Sequence, residues 1–203
     1  MLTSRYKPFL NRLIDPPARR IARSGISPNT LTLATPILTA ALCWWVLQTR
    51  AIVPFCVMMV MIVCLDWLDG AVARVSGRAT KFGAYLDAMM DRYVEVIIGA
   101  TVAALSGYWL LVLLGLAGSL LISYAKARAA MEVPIANHEW PDLMERSERG
   151  IALLLGLLAW HGLPWRPLGH DLLWWTLALF AVLTHLTVLQ RLGRARRLIR
   201  RRG

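Results

Sequence analysis

Asp66-Trp67-Leu68-Asp69-Gly70-Ala71-Val72-Ala73-Arg74 runs directly on from an uncharged apolar segment, Ile52 to Leu65, and is followed by Gly83, Asp87 and Asp91. An ionised carboxylate at the centre of a membrane helix costs roughly 2.5–3.5 kcal/mol. Four left bare would cost about 10 kcal/mol. Something must neutralise them, and two divalent cations would do so.

The spacing supports that reading. Asp66 and Asp69 are i and i+3 on a helix, and Asp87 and Asp91 are i and i+4, so each pair shares a face. Gly70 lies on the Asp66 face, and Gly83 lies one turn before Asp87. Two helices meeting at these glycines can approach closely and aim four carboxylates at one point. Hard cations such as Mg²⁺ or Mn²⁺ take oxygen ligands. Arg74 follows Asp66 by eight residues on the same face, where a guanidinium suits a phosphate oxygen.

The chain has 203 residues, of which 57% are hydrophobic. That is one domain's length with more apolar residues than the ~45–50% of soluble domains. The expected fold is all-α and integral to the membrane. Six transmembrane helices are read at about 30–49, 52–73, 84–105, 108–125, 150–163 and 171–190, against ~20 residues needed per span. They are preceded by an N-terminal amphipathic interfacial helix, with Tyr6, Phe9, Leu13, Ile14 and Ile21 among arginines and a break expected near Pro16-Pro17. The domains are expected as a juxtamembrane segment 1–26, a catalytic six-helix domain 27–191 and a basic tail 192–203. The N-terminus is too basic and too interrupted for a cleaved signal peptide.

Formal net charge is +11, with 23 Lys and Arg. All of these but Arg50, Arg92 and Arg166 fall on one side of the expected spans. The positive-inside bias therefore puts both termini, and the mouth of the aspartate cluster, in the cytoplasm of a multi-pass cell-membrane protein. Because the cations flank spans, anionic headgroups of the lipid bilayer are the expected partner rather than nucleic acid. Cys43, Cys56 and Cys64 lack ligand spacing and read as small packing residues. Trp44, Trp45, Trp109, Trp165, Trp174 and Trp175 sit at outer span ends, as in an aromatic belt. His138, His161, His170 and His185 are scattered and read as loop or packing residues. The acidic stretch 129–148 reads as a solvated loop with a short helix near 140–148. Asn29 and Thr32 fit helix capping, and Thr80 fits a hydrogen bond within the 75–82 turn.

The pattern formed by Asp66, Asp69, Gly70, Ala73, Arg74, Gly83, Asp87 and Asp91 resembles the signature of the CDP-alcohol phosphotransferases. The similarity extends from Ser27 to the helix around Gln190-Arg191. It implies transfer of a phosphatidyl group from CDP-diacylglycerol, or an ether analogue, to an alcohol with release of CMP, by a homodimer of the kind many relatives form. It implies two metal ions on Asp66, Asp69, Asp87 and Asp91, with Asp91 as the base that takes the acceptor's proton. It implies that Asn29, Thr30, Leu31, Thr32, Gly70, Arg74 and Thr80 contact the CDP-lipid. Lys126, Arg149 and Arg191 end or begin three different spans, where cations suit either ordinary positive-inside flanking or an acceptor with its own phosphate, and the resemblance implies the latter. Tyr124 to Ala129, Glu145 to Arg149 and Gln190-Arg191-Leu192 are similar to the branch that makes phosphatidylinositol phosphate or its archaeal ether-lipid equivalent. The implied acceptor is inositol 1-phosphate. Within the family, glycerol 3-phosphate, serine, or diacylglycerol with a CDP-linked small alcohol are the rivals. From another class, a proton- or ion-coupled transporter would explain buried carboxylates, but not Gly70, Ala73, Arg74 and Gly83 at fixed offsets.

Overall fold

A computed structural model describes residues 14–134, 144 and 146–202. The expected N-terminal residues Tyr6, Phe9 and Leu13, and half of the acidic stretch 129–148, lie outside the described residues. Those described are helical apart from turns and short connections. The helices are α1 (residues 14–23), α2 (Pro28–Thr49), α3 (Ile52–Val75), α4 (Lys81–Ser106), α5 (Trp109–Glu132), α6 (Arg146–Gly162) and α7 (Leu172–Arg202). They form two compact units that divide after Leu105.

Local chemistry explains where the helices of the first unit begin and end. Ser27 caps α2, its side chain accepting from the Thr30 N–H at 3.2 Å, and Pro28 fills the first turn, where its missing N–H costs nothing. Arg50 ends α2 in the left-handed region at φ 56°, and its Nη1 donates to the Leu105 carbonyl at 3.2 Å. Thr80 caps α4, its Oγ1 accepting from the Gly83 N–H at 2.9 Å. α1 runs unbroken through Pro16-Pro17, contrary to the expected break. Ala18 of α1 is buried against Ala71 and Val72 of α3, with Ile14, Ile21, Ala22, Leu31 and Leu68 around them. Arg19, Arg20 and Arg23 on α1 are exposed. α2 packs along α3, and its buried stripe runs through Thr32, Thr35, Thr39, Leu42, Cys43 and Val46.

In the second unit α7 packs against both α5 and α6. Small residues permit close approach. A Cβ on Gly115 would stand 2.6 Å from the Phe180 ring, and one on Gly118 would stand 2.7 Å from Thr184 Cβ. Asp171 caps α7, accepting from the Trp174 N–H at 2.9 Å, and accepts the Tyr108 hydroxyl at 2.8 Å on its other oxygen. α7 continues as helix to Arg202, past the expected span end near 190. Leu, Ala and Arg are good helix formers, and Arg202 Nη1 donates to the Pro134 carbonyl at 2.7 Å.

Among the described residues, α2, α3, α5 and α7 are long and apolar enough to cross a membrane. Leu, Val, Ile and Met side chains such as Ile37, Met61, Leu110, Leu113 and Leu179 are exposed along them. So much exposed apolar surface suits lipid rather than water. The chain is a multi-pass membrane protein. The remaining two expected spans differ from these four for physical reasons. α4 has the length, 26 residues, but carries Asp87, Asp91, Arg92 and Glu95. α6 has 17 residues, about 25 Å at 1.5 Å per residue, and begins with Arg146, Glu148 and Arg149.

Candidate active site

The close end of α3 and α4 carries the carboxylates. One oxygen each from Asp66, Asp69 and Asp87 lies within 4.8 Å of the others. Asp69 is buried, and Asp66 and Asp87 are half-buried. Like charges at this range repel, and burial in a membrane helix raises the cost. Three hard oxygen donors from two helices therefore fit a divalent cation.

Asp91 stands one turn deeper on α4 and is buried. It is not one of the three whose oxygens converge. Its Oδ2 lies 3.8 Å from Arg92 Nη2, which also lies 3.6 Å from Glu95 Oε1. This ion-paired group accounts for Arg92, a cation within an expected span that the sequence left without a role.

Beside the three aspartates opens a cavity of about 210 Å³. Asn29 and Thr32 line it from α2, and Asp69, Gly70 and Arg74 from α3. Arg78 and Thr80 line it from the turn, and Gly83 and Asp87 from α4. The glycines keep it open. A Cβ on Gly83 would stand 3.1 Å from Thr80 Oγ1 and 3.2 Å from Asn29 Oδ1, and one on Gly70 would stand 3.5 Å from Arg74 Nη1. Thr32 Oγ1 donates to Asp69 Oδ2 at 2.6 Å. Of the seven residues expected at a CDP-lipid, five share this wall. Thr30 and Leu31 do not: the Thr30 hydroxyl lies 2.9 Å from that of Ser27, and Leu31 packs in the α1–α3 apolar cluster. Arg78 is a lining residue that sequence reading treated only as a topology signal. Its spacing of four from Arg74 was the available clue.

In the second unit, Arg149 and Arg191 are buried, each 6% exposed, while Lys126 is half-buried. Arg149 Nη1 donates to the Met144 carbonyl at 3.2 Å. Arg191 Nη1 donates to the Ile122 carbonyl, which places it against α5 one turn before Lys126. Charges that merely flank a span belong in solvent; two buried guanidiniums are a different arrangement.

Comparison with known proteins points the same way. The chain is 33% identical over 193 residues to the phosphatidylinositol phosphate synthase of Corynebacterium glutamicum, covering 89% of this chain and 82% of that one. It is 32% identical over 155 residues to the archaetidylinositol phosphate synthase of Aeropyrum pernix, covering 74% and 77%. The fold superposes on crystal structures of Mycobacterium tuberculosis phosphatidylinositol phosphate synthase, at 27% identity. The form with CDP-DAG bound gives a TM-score of 0.78 and coverage of 91% of this chain and 94% of that one. The form in complex with manganese and citrate gives 0.77, with 90% and 88% covered. The family model described as CDP-alcohol phosphatidyltransferase matches residues 25–189. That match runs from the turn after α1 into α7 and takes in the aspartates of α3 and α4, so the chain belongs to the CDP-alcohol phosphatidyltransferase family and is a transferase of that kind.

Proposed function

We propose that this transferase moves a phosphatidyl group from CDP-diacylglycerol, or a related CDP-lipid, to inositol 1-phosphate and releases CMP. The observation that carries the reading is the convergence of Asp66, Asp69 and Asp87 beside a cavity that also carries Arg74 and Arg78. Transfer at phosphorus needs positioning, charge neutralisation and an activated hydroxyl more than covalent chemistry.

The carboxylates of Asp66, Asp69, Asp87 and Asp91 would hold two divalent cations, Mg²⁺ or Mn²⁺, which neutralise the diphosphate when bound. Arg74 and Arg78 pair with phosphate oxygens. Gly70 and Gly83 let the nucleotide approach the backbone, with Asn29, Thr32 and Thr80 as polar contacts around it. Asp91 takes the proton of the attacking inositol hydroxyl. The new bond joins that oxygen to the lipid-side phosphorus, the phosphoanhydride bond breaks, and CMP leaves with its electron pair.

Lys126, Arg149 and Arg191 are assigned to the acceptor's phosphate. The burial of two of them, and the names of the relatives, support this. The proposal extends to architecture. α4 and α6 complete six spans in one catalytic domain 27–191. α1 lies on the cytoplasmic interface, and both termini and the active site are cytoplasmic. The resemblance to the family adds a homodimer.

An acceptor panel in nanodiscs, with CDP-diacylglycerol and Mn²⁺, tests the assignment. Inositol 1-phosphate is expected to be preferred, with free inositol much poorer because it leaves those cations without their anion. Lys126→Ala, Arg149→Ala and Arg191→Ala should each lower acceptor kcat/KM by about 10- to 150-fold, the equivalent of a charge-assisted hydrogen bond of ~1.5–3 kcal/mol. Preference for glycerol 3-phosphate would keep the phosphate site and overturn the inositol assignment. Preference for serine or free inositol would overturn both.

A further inference from the structure

Three threonines lie on the buried stripe of α2, and they use their hydroxyls differently. Thr35 Oγ1 donates to the Leu31 carbonyl at 3.2 Å, and Thr39 Oγ1 donates to the Thr35 carbonyl at 2.8 Å. Both bonds stay inside the helix, the usual arrangement for a threonine that must be satisfied in an apolar setting. Thr32 Oγ1 reaches out of its helix to Asp69 Oδ2 on α3, at 2.6 Å. Its own-helix alternative, the Pro28 carbonyl, is longer at 3.2 Å. A hydroxyl has one proton to give, and the shorter, charge-assisted bond takes it. Thr32 and Asp69 are both 5% exposed.

We propose that Thr32 is a positioning residue for the metal cluster: its hydroxyl holds the Asp69 carboxylate in the orientation that joins Asp66 and Asp87. The inference deepens the function proposed above and rests on its metal reading. An aspartate carboxylate can turn away from its neighbours about χ1 and χ2, and like charge favours that turn. One oxygen pinned from α2 prevents it. Thr32 thus acts on the cluster as an outer partner acts on a metal ligand, where loss commonly weakens metal binding by about 10- to 100-fold. This gives α2 a reason to pack along α3 through a polar residue rather than an apolar one at this point.

The test is Mn²⁺ affinity of the full-length protein in detergent, read from the electron paramagnetic resonance of free Mn²⁺, with no substrate present. Four variants separate the possibilities: Thr32→Val removes the hydroxyl and keeps the shape, Thr32→Ser restores it, Thr35→Val removes a hydroxyl from the same stripe, and Asp69→Asn removes the carboxylate. Thr32→Val is expected to raise the Mn²⁺ Kd by about 10-fold or more. Thr32→Ser and Thr35→Val should stay within about 3-fold of the parent, a difference below one ordinary hydrogen bond. If Thr32→Val does not fold, Thr32→Ala replaces it in the same comparison. Parent-like Mn²⁺ affinity in the hydroxyl-free variant, with affinity lost in Asp69→Asn, overturns the role of Thr32 and leaves the metal reading standing. Equal weakening by Thr35→Val also overturns it, since the effect would then be one of packing. Parent-like affinity in Asp69→Asn overturns the metal reading and this inference with it.

Discussion

Asp66, Asp69 and Asp87 present oxygens within 4.8 Å of one another from two helices, an arrangement that costs energy unless a cation is present. Asp66→Asn, Asp69→Asn and Asp87→Asn should therefore each lower turnover by on the order of 1,000-fold, the equivalent of ~4 kcal/mol of lost charge stabilisation. Near-parent turnover in a folded variant would remove that residue from the cluster. Asp91 is a different case, since it lies outside the convergent trio and near Arg92. Asp91→Asn should keep CDP-lipid affinity within about 3-fold while turnover falls by ~100-fold or more, the range of general-base loss. Equal loss of both in a binding and single-turnover assay would make Asp91 a ligand only. Helical spacing made Asp66 and Asp69 legible as one face and paired Asp87 with Asp91 on another; that Asp87 joins the first pair while Asp91 stands outside the trio depends on how α3 and α4 meet, which no local period encodes. The bond from Thr32 to Asp69 was not legible either, because it joins positions 37 residues apart. Thr80 combines a local bond with a place in the site: its Oγ1 accepts from the Gly83 N–H at the start of α4, and it lines the cavity.

At the scale of helices, starts were more legible than ends. Ser27-Pro28 announces α2, and the apolar run from Ile52 announces α3. The sixth span is expected to end near 190 because hydropathy falls there, and the helix α7 continues through arginines to Arg202. Polar residues end a membrane segment without ending a helix. What the sequence did not disclose is how α5 and α7 meet. Gly118 faces Thr184, which has no exposed surface. Gly118→Leu should destabilise the protein by about 1–3 kcal/mol through overpacking. Gly193 lies in α7 with nothing within 4 Å of an added Cβ, so Gly193→Ala should be neutral or stabilise by up to ~1 kcal/mol. Thermal melts in one detergent check both. A melt of Gly118→Leu equal to the parent would contradict the close α5–α7 contact.

For the molecule as a whole, charge asymmetry carries the topology. All Lys and Arg but Arg50, Arg92 and Arg166 belong to one side of the six-span reading, and the proposal puts that side in the cytoplasm. A green fluorescent reporter at the C-terminus should fluoresce and alkaline phosphatase there should be inactive; the opposite pair would invert the topology. Composition made the membrane class legible, aspartate spacing pointed to hard cations, and the family resemblance of the motif supplied the reaction. The acceptor is the least local property, since Lys126, Arg149 and Arg191 come from three helices and only the burial of Arg149 and Arg191 sets them apart from flanking charges. The most direct measurement is ³¹P NMR of the purified protein in nanodiscs with CDP-diacylglycerol, inositol 1-phosphate and a divalent cation. The account predicts a lipid product carrying both a phosphodiester and a phosphomonoester, formed in equal amount to CMP and lost on chelation. CMP formed without that lipid, or no CMP at all, would contradict it.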